Sequence, residues 1–313
     1  SPRAAPTVRT RPPRRVAGRR SGRSGRKHTD GLCTRTGGGN RFCRRTNGIP
    51  DGLPHPIAHA GSTLGLNIYF DTSEDTELSD DLAAIKETGA TAVKQHFYYQ
   101  EPFDWAAADR LIESITQEGL ILVPLLDGDP ETSFAPPADP ALFAAWAGEF
   151  ARRYGTHINY YIIWDDPNLT SHWGDQPVNP AEYAALLAVA GQAIKANDAG
   201  AVIVAAPLAP TVETGPENLA DPLFLQALYD NGASGSFDVA AGKPYGFDSR
   251  PDDRTVDQDT LNFSRAILLR EVMVEHGDGD KALWAGNWGW NSLPPGWTGQ
   301  PSIWGQVDEQ TQA

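Results

Sequence analysis

The feature that most constrains the fold of this chain is a regular alternation of apolar segments of strand length with segments of helical period. Seven such units follow one another from Leu64 onward, each about 30 residues long. The strand segments, such as 120–126 and 160–164, are almost continuously apolar rather than alternating apolar with polar residues. Strands of this kind are buried on both faces, as in a parallel sheet that is covered by helices. The pattern therefore predicts an α/β fold with a parallel sheet.

The predicted elements follow from these periods and from helix start and stop residues such as Pro140 and Gly119. The seven predicted strands are 64–70, 91–97, 120–126, 160–164, 201–206, 237–241 and 281–285. The predicted helices are 79–88, 104–118, 139–154, 179–196, one that begins at 221, 259–276, and one that begins at 306.

Two architectures contain such a sheet: the (β/α)8 barrel and the doubly wound open sheet. The dinucleotide-binding open sheet has a glycine-rich turn after its first strand, whereas residues 70–74 read Phe-Asp-Thr-Ser-Glu. We therefore predict a TIM (β/α)8-type barrel over residues 61–313, which ends before an eighth strand–helix unit.

Charge divides the chain near residue 50. Residues 1–50 contain 14 Lys and Arg and one acidic residue, a net charge of +13, whereas the remainder contains 12 basic and 39 acidic residues, a net charge of −27. The basic segment has few large apolar residues, and we predict that residues 1–60 are disordered or foreign to the domain. The acidic body would repel phosphate, which argues against a nucleic-acid partner for the barrel.

Several other classes of protein are disfavoured. The sequence contains no run of 18 apolar residues, the length that could span a membrane. The Arg-rich start is not followed by the apolar segment of a signal peptide. The spacing of Cys33 and Cys43 does not match a usual zinc pattern, and the histidines of the body have no metal spacing. We predict neither a metal nor a cofactor, and we make no prediction about the oligomeric state.

The active site of a barrel gathers at the carboxyl ends of its strands. The candidate residues in the last positions of the predicted strands or after them are His96, Asp127, Trp164, Asp165, Asp166, Asn168, Trp173, Lys243, Tyr245, Asn287, Trp288 and Trp290. Carboxylates and amides suit sugar hydroxyls, and aromatic rings suit the flat faces of sugars. These residue types predict a carbohydrate ligand.

Three of these segments resemble motifs of clan A glycoside hydrolases. Residues 161–168, Tyr-Ile-Ile-Trp-Asp-Asp-Pro-Asn, resemble the family's strand-four motif Trp-Asn-Glu-Pro-Asn. Residues 282–291, Ala-Leu-Trp-Ala-Gly-Asn-Trp-Gly-Trp-Asn, resemble the strand-seven motif Thr-Glu-x-Gly-Trp, and residues 238–245 resemble the strand-six segment that ends in His-x-Tyr. The resemblance is closest to the xylosidase-like and arabinosidase-like branches, and it implies an extracellular or cell-envelope location.

The resemblance implies a role for four residues, each of which departs from the family. Asp166 stands at the position of the acid/base Glu, and Asp165 at that of the Asn that binds the sugar 2-hydroxyl. Lys243 replaces the strand-six His, and Asn287 stands where the family has its nucleophilic Glu. Retaining hydrolysis needs two carboxyl groups, and Asn287 does not supply one.

Two functions therefore remain open. In the first, the chain acts on a glycan with Asp166 as acid/base and a second group from Asp127, Asp165 or a water held by Asn287. In the second, it is an inactive carbohydrate-binding or cell-envelope scaffold module. A barrel lyase or isomerase is a third possibility, since many chemistries share this fold.

The remaining candidates would contact the sugar: His96, Trp164, Asn168, Trp173, Lys243, Tyr245, Trp288 and Trp290. If Asp165 and Asp166 continue the strand, their side chains alternate and only one of them faces the barrel axis. If both lie near the site, their like charges raise one pKa, and we expect Lys243 to pair with one of them.

Overall fold

The computed structural model of the chain describes residues 33–35, 41–43, 64–70 and 75–312. They belong to two units, residues 1–44 and 45–313. In the first unit, strands β1 (Cys33–Arg35) and β2 (Arg41–Cys43) pair in antiparallel fashion, with Cys33 opposite Cys43. The prediction of a disordered or foreign segment over residues 1–60 otherwise lies outside the described residues.

The second unit contains one parallel sheet of seven strands, which are neighbours in the order in which they occur along the chain. The strands are β3 (Gly65–Ile68), β4 (Ala92–Tyr98), β5 (Ile121–Asp127), β6 (Tyr160–Ile163), β7 (Val202–Ala205), β8 (Val239–Gly242) and β9 (Ala282–Ala285). All seven coincide with predicted strands, and the predicted parallel α/β fold of the barrel type is confirmed.

Helices alternate with these strands. They are α1 (Asp75–Glu87), α2 (Trp105–Gln117), α3 (Pro140–Tyr154), α4 (Pro180–Asn197), α5 (Asp221–Asp230), α6 (Ala266–Glu275) and α7 (Glu309–Gln312). Side chains cap several of them as the sequence predicts; for example, Asp139 accepts a hydrogen bond from the backbone N–H of Ala141 at 2.9 Å. Within the described residues, no helix is long and apolar enough to span a membrane.

Two helix starts differ clearly from the prediction. The first helix begins at Asp75 rather than at residue 79, so Ser79 lies within it. The sixth helix begins at Ala266 rather than at residue 259. The residues before it are held in an irregular loop, because the buried Arg265 guanidinium donates hydrogen bonds to the carbonyl oxygens of Gln258 and Thr260. Arg265 also forms a buried ion pair with Asp221 at 2.8 Å, which fastens this loop to the start of α5.

The sheet curls round a core of side chains from its inner face. The core cluster consists of Leu125, Ile162, Val204, Val239 and Ala241, with Val123, Val202 and Trp284 packed against it. Strands that are not neighbours also contact one another, since the rings of Tyr160 in β6 and Trp284 in β9 have centroids 5.0 Å apart. Contacts of this kind require a curved sheet, and they bring the carboxyl ends of distant strands together.

Candidate functional site

Polar side chains from separate strands converge at the carboxyl ends of the sheet. We refer to them as the mouth cluster: Lys94 and His96 on β4, Asp127 at the end of β5, Asp165 and Asp166 after β6, Lys243 after β8, and Asn287 after β9. All except Asn287 are at most 7% exposed. Buried ionisable groups must be paired or must lose their charge, so the contacts inside this cluster determine its chemistry.

Lys243 bridges the two carboxylates that follow β6. Its Nζ lies 2.9 Å from the carboxylate of Asp165 and 2.6 Å from that of Asp166. Both carboxylates reach it because Trp164 and Asp166 have φ angles of 73° and 44°, which interrupt the side-chain alternation of a strand. Residues 165 and 166 therefore do not continue the strand, and Lys243, which we expected to pair with one of the two aspartates, pairs with both.

The two aspartates differ in charge state. Burial raises the pKa of Asp166 to about 7, and the negative charge of Asp165 adds to this effect while Lys243 opposes it. Burial also acts on Asp165, but the positive charges of Lys243 and Lys94 outweigh it and hold the pKa of Asp165 below its ordinary value. Asp165 is thus the ionised partner of Lys243, whereas Asp166 exchanges a proton near neutral pH.

Lys243 itself remains charged. Burial lowers the pKa of Lys243, but Asp165 and Asp166 outweigh burial and raise it above its ordinary value. The ammonium group is therefore a fixed positive charge of the site.

His96 and Asp127 form a second buried pair. Nδ1 of His96 lies 3.5 Å from Oδ2 of Asp127, whose other oxygen accepts a hydrogen bond from the N–H of Gly128 at 2.9 Å. Burial raises the pKa of Asp127, and His96 opposes this effect. Nε2 of His96 has no hydrogen-bond partner in the described part of the chain, and the ring stacks on that of Tyr69 at 4.9 Å. One ring nitrogen is therefore available to a ligand.

Lys94 and Asn287 form the third pair. Nζ of Lys94 donates a hydrogen bond to Oδ1 of Asn287 at 2.7 Å. Lys94 makes no ion pair with any residue that the structure describes. Burial lowers the pKa of Lys94 to about 8, although the charges of Asp165 and Asp166 oppose this effect.

Aromatic side chains lie around the mouth cluster. Tyr69 and Trp288 are 67% and 53% exposed. Tyr245 is half-buried and packs on Trp304, with ring centroids 5.0 Å apart. Burial raises the pKa of Tyr245 to about 12. The charge of Lys243 opposes this effect, and the charges of Asp166 and Asp165 add to it. These rings surround buried charges, which is an arrangement suited to a ligand with both polar and apolar faces.

A cavity of about 420 Å³ adjoins the mouth cluster at His96. Its lining includes Tyr69, Tyr98, Gln100 and Phe103. The volume falls within the range of about 300–1,000 Å³ that small-ligand sites occupy.

Three of the predicted sugar-binding residues have structural contacts instead. Trp164 and Trp173 are at most 1% exposed, and their ring centroids are 5.5 Å apart. The fully buried amide of Asn168 donates to the carbonyl oxygens of Ala209 and Leu219 and accepts from the N–H of Ala209. Their polar groups and ring faces are thus occupied by the protein itself.

Trp290 is neither fully buried like Trp164 nor exposed like Trp288. It is half-buried, its indole N–H donates to the carbonyl oxygen of Ser249 at 2.7 Å, and its ring stacks on Phe263. Trp290 therefore anchors the loop after β9, while its neighbour Trp288 is the exposed ring. Over residues 64–70 and 75–312, no group of three or more His, Cys, Asp and Glu side chains is arranged to hold a metal ion.

Solved structures share this fold. A glucosidase from Croceicoccus marinus superposes with a TM-score of 0.55 and 16% identity over 70% of this chain and 49% of that chain. An endo-1,4-β-mannanase from Rhizomucor miehei superposes with a TM-score of 0.50 and 11% identity over 73% of this chain and 77% of that chain. The chain shares the parallel (β/α)-barrel fold of these structures.

The structural similarity covers only part of the glucosidase and is accompanied by low sequence identity. The chain spans about half the length of the glucosidase. No protein-family model matches it, and no curated protein matches it by sequence. The identities of 11–16% establish the fold and do not establish a branch or an activity.

Two residues at the mouth of the barrel are not among the predicted site residues. Lys94 lies two residues before His96 and therefore on the same face of β4, but a lysine within a buried strand carries no other sequence signal of a site. Tyr69, whose ring stacks on His96, follows β3 directly, whereas the sequence predicts it inside the first strand.

Proposed function

We propose that this glycoside hydrolase-like barrel binds an oligosaccharide at the mouth cluster, with Asp166 at the acid/base position and Asn287 in place of the nucleophile. The proposal extends to the xylosidase-like or arabinosidase-like branch and to a role outside the cell or in its envelope. It combines the barrel fold, the convergent polar groups at the strand ends and the aromatic rings around them.

The observation that carries this proposal is the hydrogen bond from Lys94 to Asn287. It holds an amide where the resemblance places a nucleophilic carboxylate, and an amide does not form a glycosyl ester. Asn287 therefore supplies no nucleophile for retaining hydrolysis through a covalent intermediate. Binding requires only hydrogen-bonding groups and aromatic faces, and His96, Tyr69 and Trp288 supply these.

A second candidate function is hydrolysis with inversion. One observation favours it: the carboxyl group of Asp166 has a pKa of about 7, which suits a general acid at neutral pH. Asp127 would then act as the base that activates water on the opposite face of the sugar. Asp166 would need to release its contact with Lys243 to reach a glycosidic oxygen.

Binding is tested by affinity electrophoresis of the full chain in gels that contain xylan, arabinan, mannan or mixed-linkage glucan. We expect retardation by at least one polysaccharide, and we expect Trp288→Ala to weaken it about tenfold or more because a stacking face is lost. Trp297→Ala is the matched control, since Trp297 is 54% exposed and its N–H is bonded within its own loop to Gln300. Absence of binding to every glycan, or equal loss in the two variants, would overturn the proposal.

Hydrolysis of 4-nitrophenyl xylosides and arabinosides separates the two candidates. Binding without turnover supports the binding module. Turnover that disappears in Asp166→Asn supports the inverting enzyme, and proton NMR of the first-formed anomer then reports the stereochemistry.

A further inference from the structure

The two buried lysines of the mouth cluster have opposite environments. Lys243 contacts two carboxylates, at 2.9 Å and 2.6 Å. Lys94 is equally buried, but it donates a hydrogen bond to the neutral amide oxygen of Asn287 at 2.7 Å. An ammonium group has three N–H donors and is costly to bury without an anionic partner. The structure therefore favours the neutral amine at Lys94 far more than at Lys243.

A buried lysine with a lowered pKa is a nucleophile, because part of its amine is neutral near pH 7. Amines of this type are activated by desolvation and react with carbonyl compounds to form imines. The Nζ of Lys94 reaches Asn287, which follows β9 at the end of the barrel where sites of this fold are found. Binding of a sugar through aromatic rings and carboxylates does not use this amine.

We propose that Lys94 forms an imine with a small neutral carbonyl compound, namely a short aldose or ketose in its open-chain form. The choice of a sugar as the carbonyl compound rests on the proposed glycan site, whereas the reactivity of the amine does not. Asp127, Asp165 and Asp166 make the cluster unfavourable for a carboxylate substrate such as a keto acid.

The reaction balances without a co-reactant. The Lys94 nitrogen attacks the carbonyl carbon, a C–N bond forms, and the electron pair of the C=O π bond moves to oxygen. The two protons of the amine pass to that oxygen, which leaves as water when the C=N bond forms. Asp166, which exchanges a proton near neutral pH, relays these protons. The ionised Asp165 stabilises the cationic protonated imine.

Borohydride trapping tests this proposal on the full chain. The chain contains six lysines, at positions 27, 86, 94, 195, 243 and 281, so peptide mass mapping assigns each adduct. The protein is incubated at pH 7 with glyceraldehyde and sodium cyanoborohydride, and the α-amino group is mapped separately. We expect Lys94 to be modified about tenfold or more faster than Lys86 and Lys195, because burial lowers the pKa of Lys94 and leaves part of its amine neutral at this pH.

Lys86 and Lys195 are the internal comparison, since their side chains are 46% and 42% exposed and accessible to the aldehyde. Modification of Lys94 no faster than these two would overturn the proposal. A second measurement uses the pH dependence: the Lys94 rate should level off above about pH 8, because burial lowers the pKa of this amine to about 8. A Lys94 rate that rises in parallel with Lys86 would also overturn it.

Lys94→Arg keeps the positive charge and removes the nucleophile. We expect its peptide to carry no adduct, while near-ultraviolet circular dichroism shows an unchanged fold. Polysaccharide retardation of the same proteins separates the two proposals. Binding without a Lys94 adduct overturns only the imine, and an adduct without binding of any polysaccharide overturns only the glycan site.

Discussion

Lys94 and Asn287 are 193 residues apart in the chain, yet they share a hydrogen bond of 2.7 Å across the mouth of the barrel. The lysine belongs to the second strand of the barrel sheet, and the amide follows the seventh. A contact between these strands exists only because the sheet curls. It places a cationic group against the position at which the resemblance expects a nucleophilic carboxylate.

This contact predicts a gain of function. Asn287→Glu introduces a carboxylate that pairs with Lys94 and supplies the second carboxyl group that retaining hydrolysis requires. We expect hydrolysis of a 4-nitrophenyl xyloside or arabinoside to rise about tenfold or more above the wild-type rate, with retention. Asn287→Gln has the same length without the charge and should show no gain. Equal rates for the two variants would argue against a nucleophile position at residue 287.

A second prediction concerns the stability that Lys243 provides. Lys243→Met leaves the ionised carboxylate of Asp165 buried without its partner, at 6% exposure. Removal of one member of a buried ion pair costs about 3–5 kcal/mol. We expect a loss of this size in the free energy of unfolding, measured by urea denaturation at pH 7. Lys243→Met combined with Asp165→Asn should recover part of the loss, because the unpaired charge is removed.

Lys195→Met is the matched control for that experiment. Lys195 pairs with Asp238 at 2.8 Å, but these side chains are 42% and 40% exposed. A solvent-exposed pair contributes at most about 1 kcal/mol. Losses of equal size in the two variants would mean that the Lys243 contacts are not those of a buried ion pair.

The sequence predicted every strand of the barrel sheet. In the central strands, burial on both faces leaves a long apolar run such as 120–126, whereas β3 and β9 are mostly half-buried or exposed. The sequence also placed Asp127, Lys243 and Asn287 at strand ends, since each follows a predicted strand closely. Boundaries were less predictable where side chains hold the backbone. The helix expected from residue 259 begins at Ala266 because Arg265 binds the carbonyl groups of the preceding loop.

The partners of the site residues were harder to predict than their positions. The alternation rule assigned Asp165 and Asp166 to opposite faces, but the left-handed backbone at Trp164 and Asp166 brings both to Lys243. That conformation depends on tertiary packing and has no glycine to mark it in the sequence. A tryptophan at a strand end is also ambiguous, because the ring of Trp164 packs as readily on protein as on sugar.

A third prediction uses the raised pKa of Asp166. Because this pKa rises from 3.8 to about 7 on folding, the folded chain binds the proton more tightly than the unfolded chain. Protonation of Asp166 contributes its full amount to the free energy of unfolding below about pH 4, and this contribution is lost as the pH rises to about 7. Asp166→Asn cannot titrate and lacks this dependence. Asp165 titrates at lower pH, and Lys94 and Lys243 titrate at higher pH. Asp127 and Asp221 are present in both proteins, so their contributions cancel when the two stabilities are subtracted.

Urea denaturation of wild type and Asp166→Asn between pH 4.5 and 7.5 measures this difference. We expect the stability of wild type relative to Asp166→Asn to fall by something on the order of 2 kcal/mol across that range. A constant difference would show that Asp166 is ionised throughout and would weaken its assignment as a general acid.

A fourth prediction tests whether Trp164 is a packing residue. A Cβ atom at Gly128 would lie 2.8 Å from two carbons of the Trp164 ring. That ring cannot move aside, because it is fully buried and its N–H donates to the carbonyl oxygen of His172 at 3.0 Å. Gly128→Ala should therefore destabilise the fold by about 1–3 kcal/mol through overpacking.

Gly235→Ala is the control for this substitution, since nothing lies within 4 Å of the added Cβ atom, and its effect should stay within about 0.5 kcal/mol. Trp164→Phe removes the atoms that clash, so its combination with Gly128→Ala should cost less than the sum of the single losses. If the Trp164 ring could instead rotate toward a ligand, it would leave room for the Cβ atom added at residue 128. Gly128→Ala would then destabilise the fold no more than Gly235→Ala. Urea denaturation of these four variants distinguishes a ring fixed in the core from a ring that serves the sugar site.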